Sequence, residues 1–276
     1  MNKSMIVGMV AVLATSGAMA QNNDIVVPKN QQASSTFNSN KSEVELSADL
    51  GLFSSYVWRG QVLNNDFVFQ PQLTVKQYGV SVNIAANYDL KKNYQGNSGS
   101  FSEIDFLIGY DLPIDLNGVE FEVGLINYNY TGVMAQESTS ELYGKATITT
   151  FENKDALSII PEFTLFGDVD EVNGVYMLFN VHAIYPVMDR LTAEAGVSVG
   201  WGNTSYNTAY WEASANSGWN DYNFYGNLHY TIMDGLQVSL NMTYTMLEGG
   251  VVRESAETRY ESDSKFWSGL NLKYIF

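Results

Sequence analysis

The sequence predicts an all-β chain: a transmembrane antiparallel up-and-down β-barrel of about twelve strands, with ten or fourteen as the alternatives. Three observations predict it. Apolar and polar residues alternate with period two through about twelve runs, the pattern of a strand with one greasy and one wettable face. The runs are about 11 to 17 residues long, whereas an ordinary globular strand has about 5 to 6 and a tilted membrane-spanning strand takes roughly 9 to 11. Finally, short turns alternate with longer polar loops, the asymmetry of bacterial outer-membrane barrels.

The N-terminus reads as a signal peptide over residues 1–20. Lys3 supplies a positive start, Met5 to Leu13 an apolar run, and Ala18-Met19-Ala20 a small-x-small cleavage site. That run is too short to cross a bilayer as a helix, which needs about 20 residues. Residues 21–42 are rich in Asn, Gln and Ser without periodicity, so they cannot bury enough surface to order themselves and are expected to form a disordered periplasmic leader. The barrel is expected over 43–276.

Its strands are read at 43–59, 66–77, 79–90, 101–112, 118–130, 139–150, 157–167, 174–185, 190–203, 219–232, 235–247 and 264–276. The run at 236–246 is the clearest: Leu236, Val238, Leu240, Met242, Tyr244 and Met246 alternate with Gln237, Ser239, Asn241, Thr243 and Thr245. Helical periodicity is nowhere convincing. With the leader in the periplasm, the even-numbered connections are short periplasmic turns, and the loops at 91–100, 204–218 and 248–263 face outward. Aromatic residues toward strand ends (Tyr56, Trp58, Phe67, Phe69, Tyr128, Tyr130, Trp201, Tyr222, Phe224, Tyr230, Tyr274) suit two interfacial girdles. The last strand ends on Phe276, expected to act as the assembly signal read by the barrel assembly machinery during biogenesis.

Composition narrows the function classes. There is no Cys, hence no disulfide framework, thiolate metal site or thiol nucleophile. Thirty acidic residues against thirteen basic ones, once Lys3 is removed with the signal, give a mature charge of −17, which argues against nucleic acid as a partner.

The stretch Leu50-Gly51-Leu52-Phe53-Ser54-Ser55-Tyr56-Val57-Trp58-Arg59-Gly60, followed by Phe69-Gln70-Pro71-Gln72-Leu73 and Tyr78-Gly79-Val80, resembles the opening of the TorF-type porin family. The match is sharp over about 40 residues and architectural beyond them. The resemblance implies an outer-membrane barrel of poorly defined function.

Strand parity points Glu45, Asp49, Glu103, Asp105, Asp111, Glu120, Glu122, Glu141, Glu162, Glu194 and Asp221 inward, against Arg59, Lys76, Lys145 and Lys273. The expected pore-lining set is Arg59, Asp49, Lys76, Glu103, Asp105, Glu122, Lys145, Glu194 and Asp221. Excess carboxylates in a narrow watery passage favour cations. Arg59 is placed near the outer mouth, either in a constriction or bracing the first loop.

Catalytic groups are not expected. The only histidines, His182 and His229, face inward and away from the outer leaflet. Asp168 to Gly174 lacks the spacing and distal Glu of a calcium loop, and no cofactor or metal is implied. The leading expectation is a porin-like channel for small polar or cationic solutes. A non-conducting scaffold barrel comes second and an outer-membrane hydrolase third. Outer-membrane lipid is the expected surrounding, and self-association is left open.

Overall fold

The computed structural model describes residues 44–276 except 94–95, 97, 115, 132–137, 152, 154–155, 212–214 and 261. The expected signal peptide (1–20) and leader (21–42) therefore lie outside the described residues. Twelve strands form the wall: β1 (Glu45–Phe53), β4 (Val68–Gln77), β5 (Val80–Asp89), β6 (Ser100–Asp111), β7 (Val119–Tyr130), β8 (Thr139–Ile148), β9 (Ser158–Asp168), β10 (Val175–Met188), β11 (Leu191–Gly202), β12 (Gly218–Met233), β13 (Leu236–Leu247) and β14 (Ser264–Ile275). Two further strands, β2 (Tyr56–Trp58) and β3 (Gln61–Asn64), pair only with each other, and two helices, α1 (Thr204–Tyr210) and α2 (Val251–Arg259), sit in connections.

Each wall strand is antiparallel to its neighbours, and the sheet closes where β1 pairs with β14 through Ser47↔Ile275 to Phe53↔Gly269. Closure leaves the wall without a free edge, which a membrane requires because nothing in hydrocarbon can satisfy an unpaired backbone group. The wall obeys the period-two reading. On β13, Gln237, Ser239, Asn241, Thr243 and Thr245 are buried inward while Leu240, Met242 and Tyr244 face out. Around the barrel, Leu52, Leu73, Ile84, Phe106, Ile108, Leu228 and Leu270 extend that apolar band.

Turn chemistry follows the sequence. Tyr78 and Gly79 both have positive φ (52° and 78°) and link Gln77 to its partner Val80, the geometry of a two-residue primed turn, which matches the twist of the flanking strands. Asn117 and Gly118 repeat the left-handed pair (39° and 86°). These turns lie at the end that carries the start of β1 and Phe276, whose N–H donates to Leu46 O at 2.9 Å. The long connections lie at the other end, which is the outer one in bacterial barrels.

Three expectations are corrected. The first run is not one strand over 43–59. It stops at Phe53, and the chain turns inward to make β2 and β3, because Arg59 and Gly60 (φ 45° and 85°) form another two-residue left-handed turn between Trp58 and its partner Gln61. The outer loops are not free of helix: α1 and α2 are too short for a helical period to emerge over the strand pattern. Finally, Tyr56, Trp58 and Tyr128 do not belong to a girdle, for all three are fully buried inside the barrel.

Candidate functional site: a plugged lumen

The inward hairpin determines the state of the lumen. It leaves the wall between β1 and β4, and every residue from Ser55 to Asn64 is buried. Its tip packs against β12 and β13: a Cβ on Gly60 would lie 2.3 Å from Leu247 Cδ2 and 2.8 Å from Asp221 Cβ, so only glycine gives both the backbone angle and the close approach. Ser55 Oγ donates to Asn64 O at 2.6 Å, closing the hairpin on itself.

Side chains, not ladder bonds, seat it. Tyr56 Oη donates to Glu103 Oε2 at 2.5 Å, and Asn64 Nδ2 donates to Asp89 Oδ1 at 2.7 Å. Trp58 stacks edge-on against Tyr128 of β7 and Tyr210 of α1, with centroids 5.8 and 5.0 Å apart. The Tyr210 ring continues onto Tyr206 (4.6 Å), and Tyr206 onto Tyr176 of β10 (5.1 Å). Above them, Tyr260, which follows α2, donates to Tyr210 O at 2.8 Å and packs on Trp211. The hairpin and both helices thus join one apolar core across the outer half of the lumen.

Arg59 is the charge within that core. Its Nη1 and Nη2 donate to Glu141 Oε1 and Oε2 at 2.8 and 2.7 Å, a bidentate pair of the stronger kind. The guanidinium carbon lies 4.8 Å from the Trp58 ring centroid, 4.4 Å from Phe166, 4.3 Å from Tyr176 and 5.7 Å from Tyr206. Both partners are nearly inaccessible, at 4% and 2% side-chain exposure. A guanidinium tolerates such a place because it is weakly hydrated and planar.

The other expected lining residues fall into two groups. Glu103, Asp105 and Asp221 are fully buried in the outer half. Asp221 accepts from Tyr176 Oη at 2.9 Å and from Asn223 Nδ2 at 3.0 Å, and Asp105 sits beside Glu103 on the same face of β6. Toward the inner end, cations and carboxylates pair: Lys76 with Asp111 (2.6 Å), Lys145 with Glu162 (2.8 Å) and Lys273 with Asp49 (3.5 Å). Glu122 is met by the Tyr143 hydroxyl.

Glu194 lies 3.2 Å from His229 Nε2, and Ser239 Oγ lies 2.8 Å from His229 Nδ1. The order of hydroxyl, imidazole and carboxylate is that of a hydrolytic triad, but all three are buried and β12 and β13 are laddered on both sides. Backbone N–H groups are therefore committed to the ladder, whereas acyl transfer needs donors free to meet an oxyanion. Polar bracing of the lumen is what this arrangement can do. Among the described residues no three His, Asp or Glu side chains gather to hold a metal ion. Asp168 turns its Oδ1 to the backbone N–H groups of Asp170, Val172 and Asn173 at 3.0 to 3.1 Å, a loop cap.

Parity pointed Glu141 inward but gave it no partner, put Asp89 on the polar face of its strand without counting it among the lining residues, and missed Phe166, Tyr176 and Tyr206. The available signal was local: Tyr56-Val57-Trp58, then Arg59-Gly60, then Gln61-Val62-Leu63 reads as two short runs about a turn pair.

Residues 38–248 match the model of a family described as "Bacterial protein of unknown function (Gcw_chp)". No curated protein matches the chain. Among solved structures, the COG4313 outer membrane channel from Pseudomonas putida F1 is similar at 8% identity, over 89% of this chain and 100% of that one, with a TM-score of 0.53. The KdgM porin in complex with disordered oligogalacturonate follows at 9% identity, 84% and 99% coverage and a TM-score of 0.50. The NanC porin gives 12%, 83%, 98% and 0.50. At such identities the likeness concerns the fold, a twelve-stranded closed barrel of the bacterial outer membrane.

Proposed function

The chain belongs to the Gcw_chp family of bacterial proteins of unknown function, and from that premise we propose a porin-like channel, closed at rest, for passive diffusion of small polar or cationic solutes. The observation that carries this reading is that β2 and β3 pair only with each other while the twelve-stranded wall closes without them. A stopper held by side chains can leave without opening the barrel. The channel and porin folds it resembles, and the TorF-type resemblance of residues 50–80, support the same reading. The buried carboxylates of the outer half (Asp89, Glu103, Asp105, Asp221) favour cations once water reaches them. Phe276 would serve assembly, and the reading involves no enzymatic step.

The test is single-channel current in a planar bilayer under a salt gradient. Phe53 and Val68 are register partners, so residues 54–67 can be replaced by a short Gly-Ser linker without stretching the wall. The wild type should be mostly closed, and the replacement should conduct stably with cation preference. A second reading, a non-conducting scaffold barrel, is favoured by the filled inner half, where Asp49, Lys273, Asn227, Asn241 and His229 are also buried. A hairpin-less barrel that folds, shows heat-modifiable mobility and never conducts would sink the channel and leave the scaffold.

A further inference from the structure

We infer that the Arg59 pocket is a binding site for small organic cations of the guanidinium class, which the chain fills with its own side chain while the hairpin is seated. The inference rests on the hairpin being a removable plug, as proposed above.

Apart from Trp58, the pocket is built by the wall and α1, not by the hairpin. Glu141 is on β8, Phe166 on β9 and Tyr176 on β10, and Tyr206 is on α1. Of the groups around the guanidinium only Trp58 travels with Arg59. Glu141 is also preset: Tyr128 Oη, from β7, donates to its Oε2 at 2.9 Å and holds the carboxylate plane that the two N–H donors of Arg59 meet. At the edge of the Tyr176 ring, its hydroxyl donates to Asp221, so a second carboxylate holds the ring that the guanidinium faces.

When the hairpin leaves, this wall keeps a carboxylate without the bidentate partner that its two oxygens had met. It also keeps ring faces that attract a cation close to their centroids. A free cation restores both interactions. The site should rank cations by chemistry. A planar guanidinium engages both carboxylate oxygens and stacks on rings, whereas a potassium ion does neither and sheds its water reluctantly. The plug is then a tethered competitor: a solute of matching chemistry displaces Arg59 and holds the lumen unplugged.

The test is calorimetric titration of methylguanidinium into the folded full-length barrel in detergent, comparing wild type with Arg59→Ala and with Arg59→Met, which keeps the aliphatic stem. Both variants should bind methylguanidinium at least tenfold more tightly than wild type. Adding Glu141→Gln to either should lower the affinity at least tenfold, and an equal concentration of potassium should not compete. Folded Arg59 variants that bind no better than wild type, or binding that survives Glu141→Gln, would overturn the inference. Should neither variant fold, the hairpin-less barrel replaces them, with the same criteria. No current is needed: a barrel that binds but never conducts sinks the channel and keeps the site, and one that conducts without binding does the reverse.

Discussion

Gly60→Ala should unseat the hairpin while sparing the wall. Gly60 has φ +85°, and its new Cβ would lie 2.3 Å from Leu247 Cδ2 and 2.8 Å from Asp221 Cβ. Holding an L-residue in the left-handed region costs about 1–2 kcal/mol, and forcing a methyl into a packed contact adds about 1–3 kcal/mol. With tenfold per 1.4 kcal/mol, the ratio of seated to unseated hairpin should fall by a factor between roughly 30 and several thousand. Gly96→Ala is the control, since Gly96 shares the φ of +85° but has nothing within 4 Å and therefore lacks the steric term. The chain has no cysteine, so Val57→Cys provides a unique reporter at a buried position, 3% exposed. Maleimide labelling should be slow in Val57→Cys, fast when Gly60→Ala is added and slow with Gly96→Ala, and open probability in bilayers should follow the same order. Labelling of the introduced thiol that Gly60→Ala leaves unchanged, in a barrel that folds, would refute the argument that this turn fixes the plug.

Tyr56→Phe removes one charge-assisted bond to Glu103, worth about 1.5–3 kcal/mol, so in the same labelling assay it should act in the direction of Gly60→Ala. Lys273→Met leaves Asp49 buried across the β1–β14 closure. The barrel should lose about 3–5 kcal/mol in urea unfolding from vesicles, and a second substitution, Asp49→Asn, should recover most of it. Outside the membrane, the Tyr222 hydroxyl donates to Glu248 and holds its carboxyl below the ordinary glutamate value, helped by the Gly249 N–H. A lowered carboxyl favours the folded contact above the ordinary glutamate pKa, and that gain is lost as pH falls through the lowered value. Carbon-detected NMR of Glu248 should show its titration moving up toward the ordinary value in Tyr222→Phe.

The wall was legible because a closed barrel forces one rule on every residue: outward side chains meet lipid and inward ones do not. Leu240 and Asn241 could therefore be placed from parity alone, and turn pairs such as Tyr78-Gly79 marked strand ends. The plug was hard to read for the same reason. Tyr56, Trp58 and Tyr128 are amphipathic aromatics near strand ends, and parity cannot tell a ring at the lipid interface from one packed inside the lumen. Glu141 was placed inward, but that its partner would be Arg59, 82 positions earlier, depends on a hairpin crossing the whole lumen. Helices of seven and nine residues span two turns or so, too few for their period to stand out.

The plug's four anchoring residues, Tyr56, Trp58, Arg59 and Asn64, share one short hairpin, so they cannot leave the wall one at a time. Unseating exposes Glu103, Tyr128, Glu141 and Asp89 together, which makes the seated and unseated states discrete. Seated, these carboxylates are masked by donors in a dry compartment where each pairing is stronger than it would be in water. Unseated, they join Asp105 and Asp221 on a wetted wall with no compensating Arg59. On the proposed reading, the motion that opens the passage is thus also the motion that charges it. Cation preference should then be a property of the open state, and neutralising Glu141 should weaken closure and selectivity in the same variant.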